Sequence, residues 1–131
     1  MTMKPLKKIL LAEDEPDIRA IMKIALEDIG QFTVKICSSG KEALESAEAF
    51  SPDLIVLDVM MPDMDGVHVF KEFQKKSVFK NIPVIFVTAK AQASEIDYYH
   101  QLGVFDVIVK PFDPVTLSEE LRTLWKKHYG S

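Results

Sequence analysis

Three carboxylates, a hydroxyl and an ammonium each stand just past a short, largely apolar run in this chain. Glu13 and Asp14 follow Ile9–Ala12, Asp58 follows Leu54–Leu57, Thr88 follows Val84–Val87, and Lys110 follows Phe105–Val109. If those runs are strands pointing the same way, all of these groups meet along one sheet edge. Acids gathered that closely repel by roughly 4 kcal/mol per pair at an effective dielectric of about 20, a large part of a small domain's stability. Lys110 offsets some of this, and a hard divalent cation held by oxygen ligands offsets more. Few carboxylates with places left for water suit Mg²⁺ better than the all-protein cage that Ca²⁺ prefers. Taken singly, each residue has an ordinary structural account: Asp14 as a helix cap, Asp58 as the start of a loop, Thr88 as a strand residue, Lys110 as a counter-charge. The joint placement is what points to a site.

The elements that must position these groups alternate along the chain. After the first apolar run, Pro16 is set for the first turn of a helix, in which Ile18, Ile21, Met22, Ala25 and Ile29 fall at helical spacing before the stop at Gly30. Phe32, Val34 and Ile36 alternate with Thr33, Lys35 and Cys37, as in an edge strand. Ser39-Gly-Lys-Glu42 is a capping-box pattern, opening a helix with Ala43, Leu44, Ala47 and Phe50 on its inner side. Leu54–Leu57 reads as a strand buried on both faces, and Pro62 and Gly66 turn the chain away just after Asp58. A third helix carries Val67, Val69, Phe70 and Phe73, and a fourth spans 94–102 with Ile96, Tyr99 and Leu102 near one side and Gly103 closing it. Asp113-Pro114 opens a last helix with Val115, Leu117, Leu121, Leu124 and Trp125. Five strand-then-helix units predict a doubly wound, five-stranded parallel α/β sheet, flavodoxin-like, with helices on both faces. The order 2-1-3-4-5 buries strands one, three and four; it is the order given for this fold in general.

Composition narrows the classes further. A chain of 131 residues with 47% hydrophobic residues and net charge −4 predicts one compact domain, with a core over about 6–127. The basic residues are scattered as Lys7-Lys8, Lys75-Lys76 and Lys126-Lys127, so no direct contact with nucleic acid is expected. Cys37 is the lone cysteine, which fits a reducing, cytoplasmic compartment. The run before Glu13 is too short for a signal-peptide core, and no stretch approaches a membrane span. His68, His100 and His128 lack paired ligand spacing.

As a set, the acids after strand one, Asp58-Val-Met-Met-Pro-Asp-Met-Asp-Gly66, Thr88-Ala89 and Lys110-Pro111-Phe112 resemble the receiver domain of two-component response regulators, of the chemotaxis-regulator kind. The resemblance implies that Asp58 is the phosphoacceptor, attacking phosphorus in line to give an acyl phosphate. It implies a magnesium site in which Asp14, Asp58 and the backbone carbonyl of Met60 bind Mg²⁺ directly and Glu13 acts through water. Lys110 would pair with one phosphoryl oxygen and Thr88 with another, and the Lys110–Pro111 bond would be cis. Met60 and Lys90 match positions that tune phosphoryl lifetime. The expected partners are a histidine kinase or histidine phosphotransfer protein upstream. Downstream, a protein partner or a second copy is expected on the face formed by helix four, strand five and helix five. The chain is expected to be no enzyme in its own right, although it catalyses its own phosphorylation and slow dephosphorylation.

One position departs from the family: Val107 stands where a Tyr or Phe three residues before the Lys normally couples to the Thr. Phe105 shares strand parity with Val107 but lies a residue pair further from the site, and takes no switch role. Output is then expected to run through ordering of the loop and helix four. Among other readings, a flavodoxin-like flavin site needs a phosphate loop where Glu13-Asp14-Glu15 would repel phosphate. A haloacid-dehalogenase-like phosphatase wants an acid at the place of Met60, and dinucleotide binding lacks its glycine fingerprint. The alternative that remains is a pseudo-receiver, a protein-interaction module that is not phosphorylated. The chain either acts alone or is a piece of a longer regulator.

Overall fold

The computed structural model describes residues 4–90 and 92–129. Its strands are β1 (Lys8–Ala12), β2 (Thr33–Cys37), β3 (Leu54–Asp58), β4 (Val84–Thr88) and β5 (Asp106–Val109). The helices are α1 (Pro16–Lys23), α2 (Gly40–Phe50), α3 (Gly66–Gln74), α4 (Ala93–Leu102) and α5 (Leu117–Tyr129), with a π-helical segment, Ile24–Ile29, continuing α1. The sheet runs β2-β1-β3-β4-β5, the order general to this fold, and every pairing is parallel, as the alternation of elements predicts.

Strand alternation sorts the core into two halves. Leu10, Ala12, Ile55, Leu57, Val84 and Phe86 pack with Ala43, Ala47, Val69, Phe70, Phe73 and Tyr99, under α2, α3 and α4. Ile9, Leu11, Leu54, Val56, Ile85, Val87 and Ile108 pack with Met22, Leu26, Leu117, Leu121 and Trp125, under α1 and α5. The same period-two rule assigns sides at the strand ends. Glu13, Asp58 and Lys110 fall on the α1/α5 side, whereas Thr88 and Val107 fall on the side of α2, α3 and α4.

The first helix differs from its expected form. Met22, Ala25 and Leu26 face the core, while Ile21 and Ile29 lie at the surface, 42% and 48% exposed. For Ile29 the cause sits far away in sequence. The Ser118 hydroxyl of α5 donates to the Ala25 carbonyl at 2.7 Å, and the same carbonyl accepts the Gly30 N–H at 3.1 Å, five residues on. A side chain inserted into the helical ladder widens that turn, and the widened turn rotates the residues after it.

Smaller differences follow from local bonding. Ser39 caps α2 by accepting the Glu42 N–H at 3.1 Å, but the Glu42 carboxylate returns to the backbone N–H and hydroxyl of Ser38 rather than to Ser39. Cys37 is fully buried although β2 lies at the sheet edge, because α2 covers that side of the strand's end. The last helix starts at Leu117, since Asp113 first makes a turn by accepting the Val115 N–H at 2.9 Å; Val115 is 68% exposed. Phe105 precedes β5 and escapes its alternation: it packs on the α1/α5 side, 4.6 Å from the His128 ring, not with Val107.

Candidate functional site

The register brings the strand ends level. Ala12 pairs with Leu57, so the next residues, Glu13 and Asp58, lie side by side; Thr88 pairs with Val109, which sets Lys110 just beyond. The chain then leaves β3 through a tight loop. Gly66 N–H donates to the Val59 carbonyl at 2.9 Å, and a Cβ on Gly66 would stand 2.8 Å from the Asp58 carbonyl oxygen. Only glycine lets α3 start that close to the strand it follows.

Lys110 Nζ lies 2.9 Å from Glu13 Oε1 and 3.3 Å from Asp58 Oδ2, with all three side chains nearly buried. The other oxygens of these acids accept backbone donors: Glu13 Oε2 from the Glu15 N–H at 3.2 Å and Asp58 Oδ1 from the Met60 N–H at 3.2 Å. Asp14 is different. Its Oδ1 is buried and has no hydrogen-bond partner among the described residues, yet Asp14, Glu13 and Asp58 each offer one oxygen within 4.8 Å of the others. With every group ionised, three acids against one lysine leave the cluster net negative. Burial in the first place, and the hydrogen bond and charge of Asp58 after it, push the Glu13 carboxyl up to about 7, while Lys110 pulls it back. Burial pushes the Lys110 ammonium down, but its hydrogen bond to Glu13 and the charges of Asp58 and Glu13 win and hold it above its ordinary value.

The remaining predicted residues stand around this cluster. Thr88 is buried, and its hydroxyl is engaged in its own loop, donating to the Lys90 carbonyl at 3.2 Å and accepting the Lys90 N–H at 3.1 Å. It is not turned toward the carboxylates. Met60 is 57% exposed at the rim, and Lys90 is exposed on the neighbouring loop. Val107 is half-buried, opposite Phe86 in register, and the Lys110–Pro111 peptide is cis as expected. One residue escaped the reading of the sequence. Arg19 Nη1 donates to the backbone carbonyls of both Glu13, at 2.9 Å, and Asp14, at 2.8 Å. The available signal was a cation near the start of α1, where the helix dipole disfavours positive charge.

A 2-1-3-4-5 sheet whose edge holds such acids beside a lysine and a threonine defines a receiver-type signalling module. Residues 9–122 match the family described as "Response regulator receiver domain", and the chain belongs to that family. It is 40% identical over 121 residues to the "Probable transcriptional regulator ycf27" of Cyanophora paradoxa, covering 92% of this chain and 49% of that protein. It is 32% identical over 123 residues to the "Response regulator Rre1" of Synechocystis sp. (strain ATCC 27184 / PCC 6803 / Kazusa), covering 94% and 53%. Among solved structures, the chemotaxis protein CheY4 of Vibrio cholerae superposes with a TM-score of 0.84 at 30% identity, over 92% of this chain and 99% of that one. The chain thus spans about half the length of the curated relatives it matches. Family membership corrects the expectation that the chain is no enzyme: receiver domains carry autophosphorylation and autodephosphorylation activity, although no distinct enzyme class follows from this. Among the described residues, no helix is long and apolar enough to cross a membrane.

Proposed function

We propose that Asp58 accepts a phosphoryl group from a phosphohistidine, on a histidine kinase or a histidine phosphotransfer protein, with Mg²⁺ held by the neighbouring acids. The observation that carries this is the buried Oδ1 of Asp14, without a partner among the described residues and set with oxygens of Glu13 and Asp58 within 4.8 Å beside Lys110. An all-oxygen set with one vacant acceptor suits a small hard cation. Asp14, Asp58 and the Met60 carbonyl would hold Mg²⁺ directly. Glu13, whose two oxygens already serve Lys110 and the Glu15 N–H, would act through water. Bound there, Mg²⁺ supplies positive charge that screens the approach of one anion to another.

The chain's own residues do the rest. An Asp58 carboxylate oxygen attacks phosphorus; the bond from phosphorus to the donor imidazole breaks, and its electron pair returns to the ring nitrogen, which takes up a proton. Lys110 pairs with a phosphoryl oxygen. The Thr88 hydroxyl leaves its loop bonds with Lys90 to donate to another. Met60 and Lys90, at the rim, govern water's access to the acyl phosphate and so its lifetime. Presence of every chemical residue disfavours the unphosphorylated pseudo-receiver. Output passes through the α4, β5 and α5 face to a protein partner or a second copy, where Tyr98 and Val109 are exposed. We place the exchange in the cytoplasm, on the strength of the family and the lone cysteine.

The test is intact mass after incubation with Mg²⁺ and acetyl phosphate. The native chain gains one phosphoryl group and Asp58→Asn gains none. No gain in the native chain would return the pseudo-receiver reading.

A further inference from the structure

We propose that Arg19 is a positioning residue for the cation site: its guanidinium, through two backbone carbonyls, fixes the acid loop so that Asp14 is aimed at the place where Mg²⁺ binds. This rests on the reading that the acid cluster takes Mg²⁺.

The Asp14 side chain makes no hydrogen bond among the described residues, its buried Oδ1 included, so no hydrogen bond fixes its direction and the backbone that carries it matters the more. That backbone is held from α1. Arg19 Nη1 donates to Glu13 O at 2.9 Å and to Asp14 O at 2.8 Å, and among the described residues no backbone N–H donates to either carbonyl. On the other side of the loop, the Glu13 N–H donates to the Cys37 carbonyl at 3.0 Å. The loop is therefore pinned at three successive peptide groups. Both carbonyls turn toward α1, and the carboxylates are left on the side of Asp58. A planar guanidinium held half-buried loses little freedom in making such a pair of bonds.

Charge and geometry predict opposite signs here, which makes the proposal testable. As a positive charge beside a cation site, Arg19 repels Mg²⁺, so charge alone predicts tighter binding once it is removed. As a positioning residue, its removal loosens Asp14 and weakens binding, by about tenfold on the scale of outer ligand-orienting contacts. Magnesium chloride is titrated calorimetrically into the native chain, Arg19→Gln, Arg19→Lys and Asp14→Asn, with circular dichroism in chelator showing that each is folded. We expect Arg19→Gln to bind about tenfold more weakly, and Arg19→Lys to fall between it and the native chain, because an ammonium keeps the charge and reaches one carbonyl. Equal or tighter binding by Arg19→Gln overturns the proposal. Should Arg19→Gln not fold, Arg19→Lys decides: native affinity overturns the proposal and weaker affinity supports it. If the native chain binds no Mg²⁺, the reading of the site falls and takes this with it. If the native chain binds, Asp14→Asn does not, and Arg19→Gln matches the native chain, this inference alone falls.

Discussion

Asp58 sits between two donors, the Lys110 ammonium and the Met60 N–H, and beside two acids that repel it. Asn keeps an acceptor for Met60 while removing the repulsion. Asp58→Asn should therefore raise stability in chelator by roughly 1 kcal/mol, read as an increased thermal midpoint. A clear fall would reveal a structural role for the carboxylate. Asp53 gives the contrasting case, an acid at the opposite end of β3 held by donors. Burial pushes its carboxyl up, but the backbone N–H groups of Lys8, at 2.9 Å, and Lys7, at 3.1 Å, together with the Lys4 ammonium at 3.0 Å, hold it below the usual value of 3.8. A folded-state value below the unfolded one contributes stability above pH 3.8, which is lost as pH falls through the folded value. Asp53→Asn should cost about 1–2 kcal/mol at neutral pH, and its difference from the native chain should shrink in acid denaturation curves taken below that point. At the rim, replacing Met60 and Lys90 together with small polar residues should speed loss of the phosphoryl group; unchanged decay would show that neither residue limits water there. Glu13, Asp14, Asp58, Thr88 and Lys110 were legible because each ends an apolar run. Arg19 was not, because its bonds go to backbone carbonyls, which no spacing of residue types records.

At the scale of elements, order and type were readable and the details of two helices were not. Apolar runs four or five residues long, broken by glycine and proline, identify strands and their neighbours without tertiary information. The π-helical segment has no such signature, because it depends on a hydroxyl from α5 meeting Ala25. Ser118→Ala should cost about 1–2 kcal/mol and speed hydrogen exchange at the Gly30 amide, whose partner carbonyl would then be free to return to the regular ladder. Native exchange there would mean that packing, not the hydroxyl, widens the turn. Phe105 shows the same limit: period-two reasoning holds within β5, and this ring lies one residue before it.

For the molecule as a whole, the sheet sorts the site residues onto two sides. Glu13, Asp58 and Lys110 gather toward α1 and α5, while Thr88, Phe86, Val107 and Tyr99 belong to the other side, with the Tyr99 ring edge-on to Phe86 at 5.1 Å. With valine in the usual aromatic place, adding beryllofluoride and Mg²⁺ should shift amide resonances in the β4–α4 loop, α4 and β5; identical spectra in those elements would sink this account of output. The sheet's alternation has a consequence for substitution as well. Glu13, Asp58 and Lys110 meet on one side of the sheet, while Val107 packs on the other, opposite Phe86. A substitution at position 107 therefore changes the packing against Phe86 while leaving the contacts of Lys110 with Glu13 and Asp58 in place.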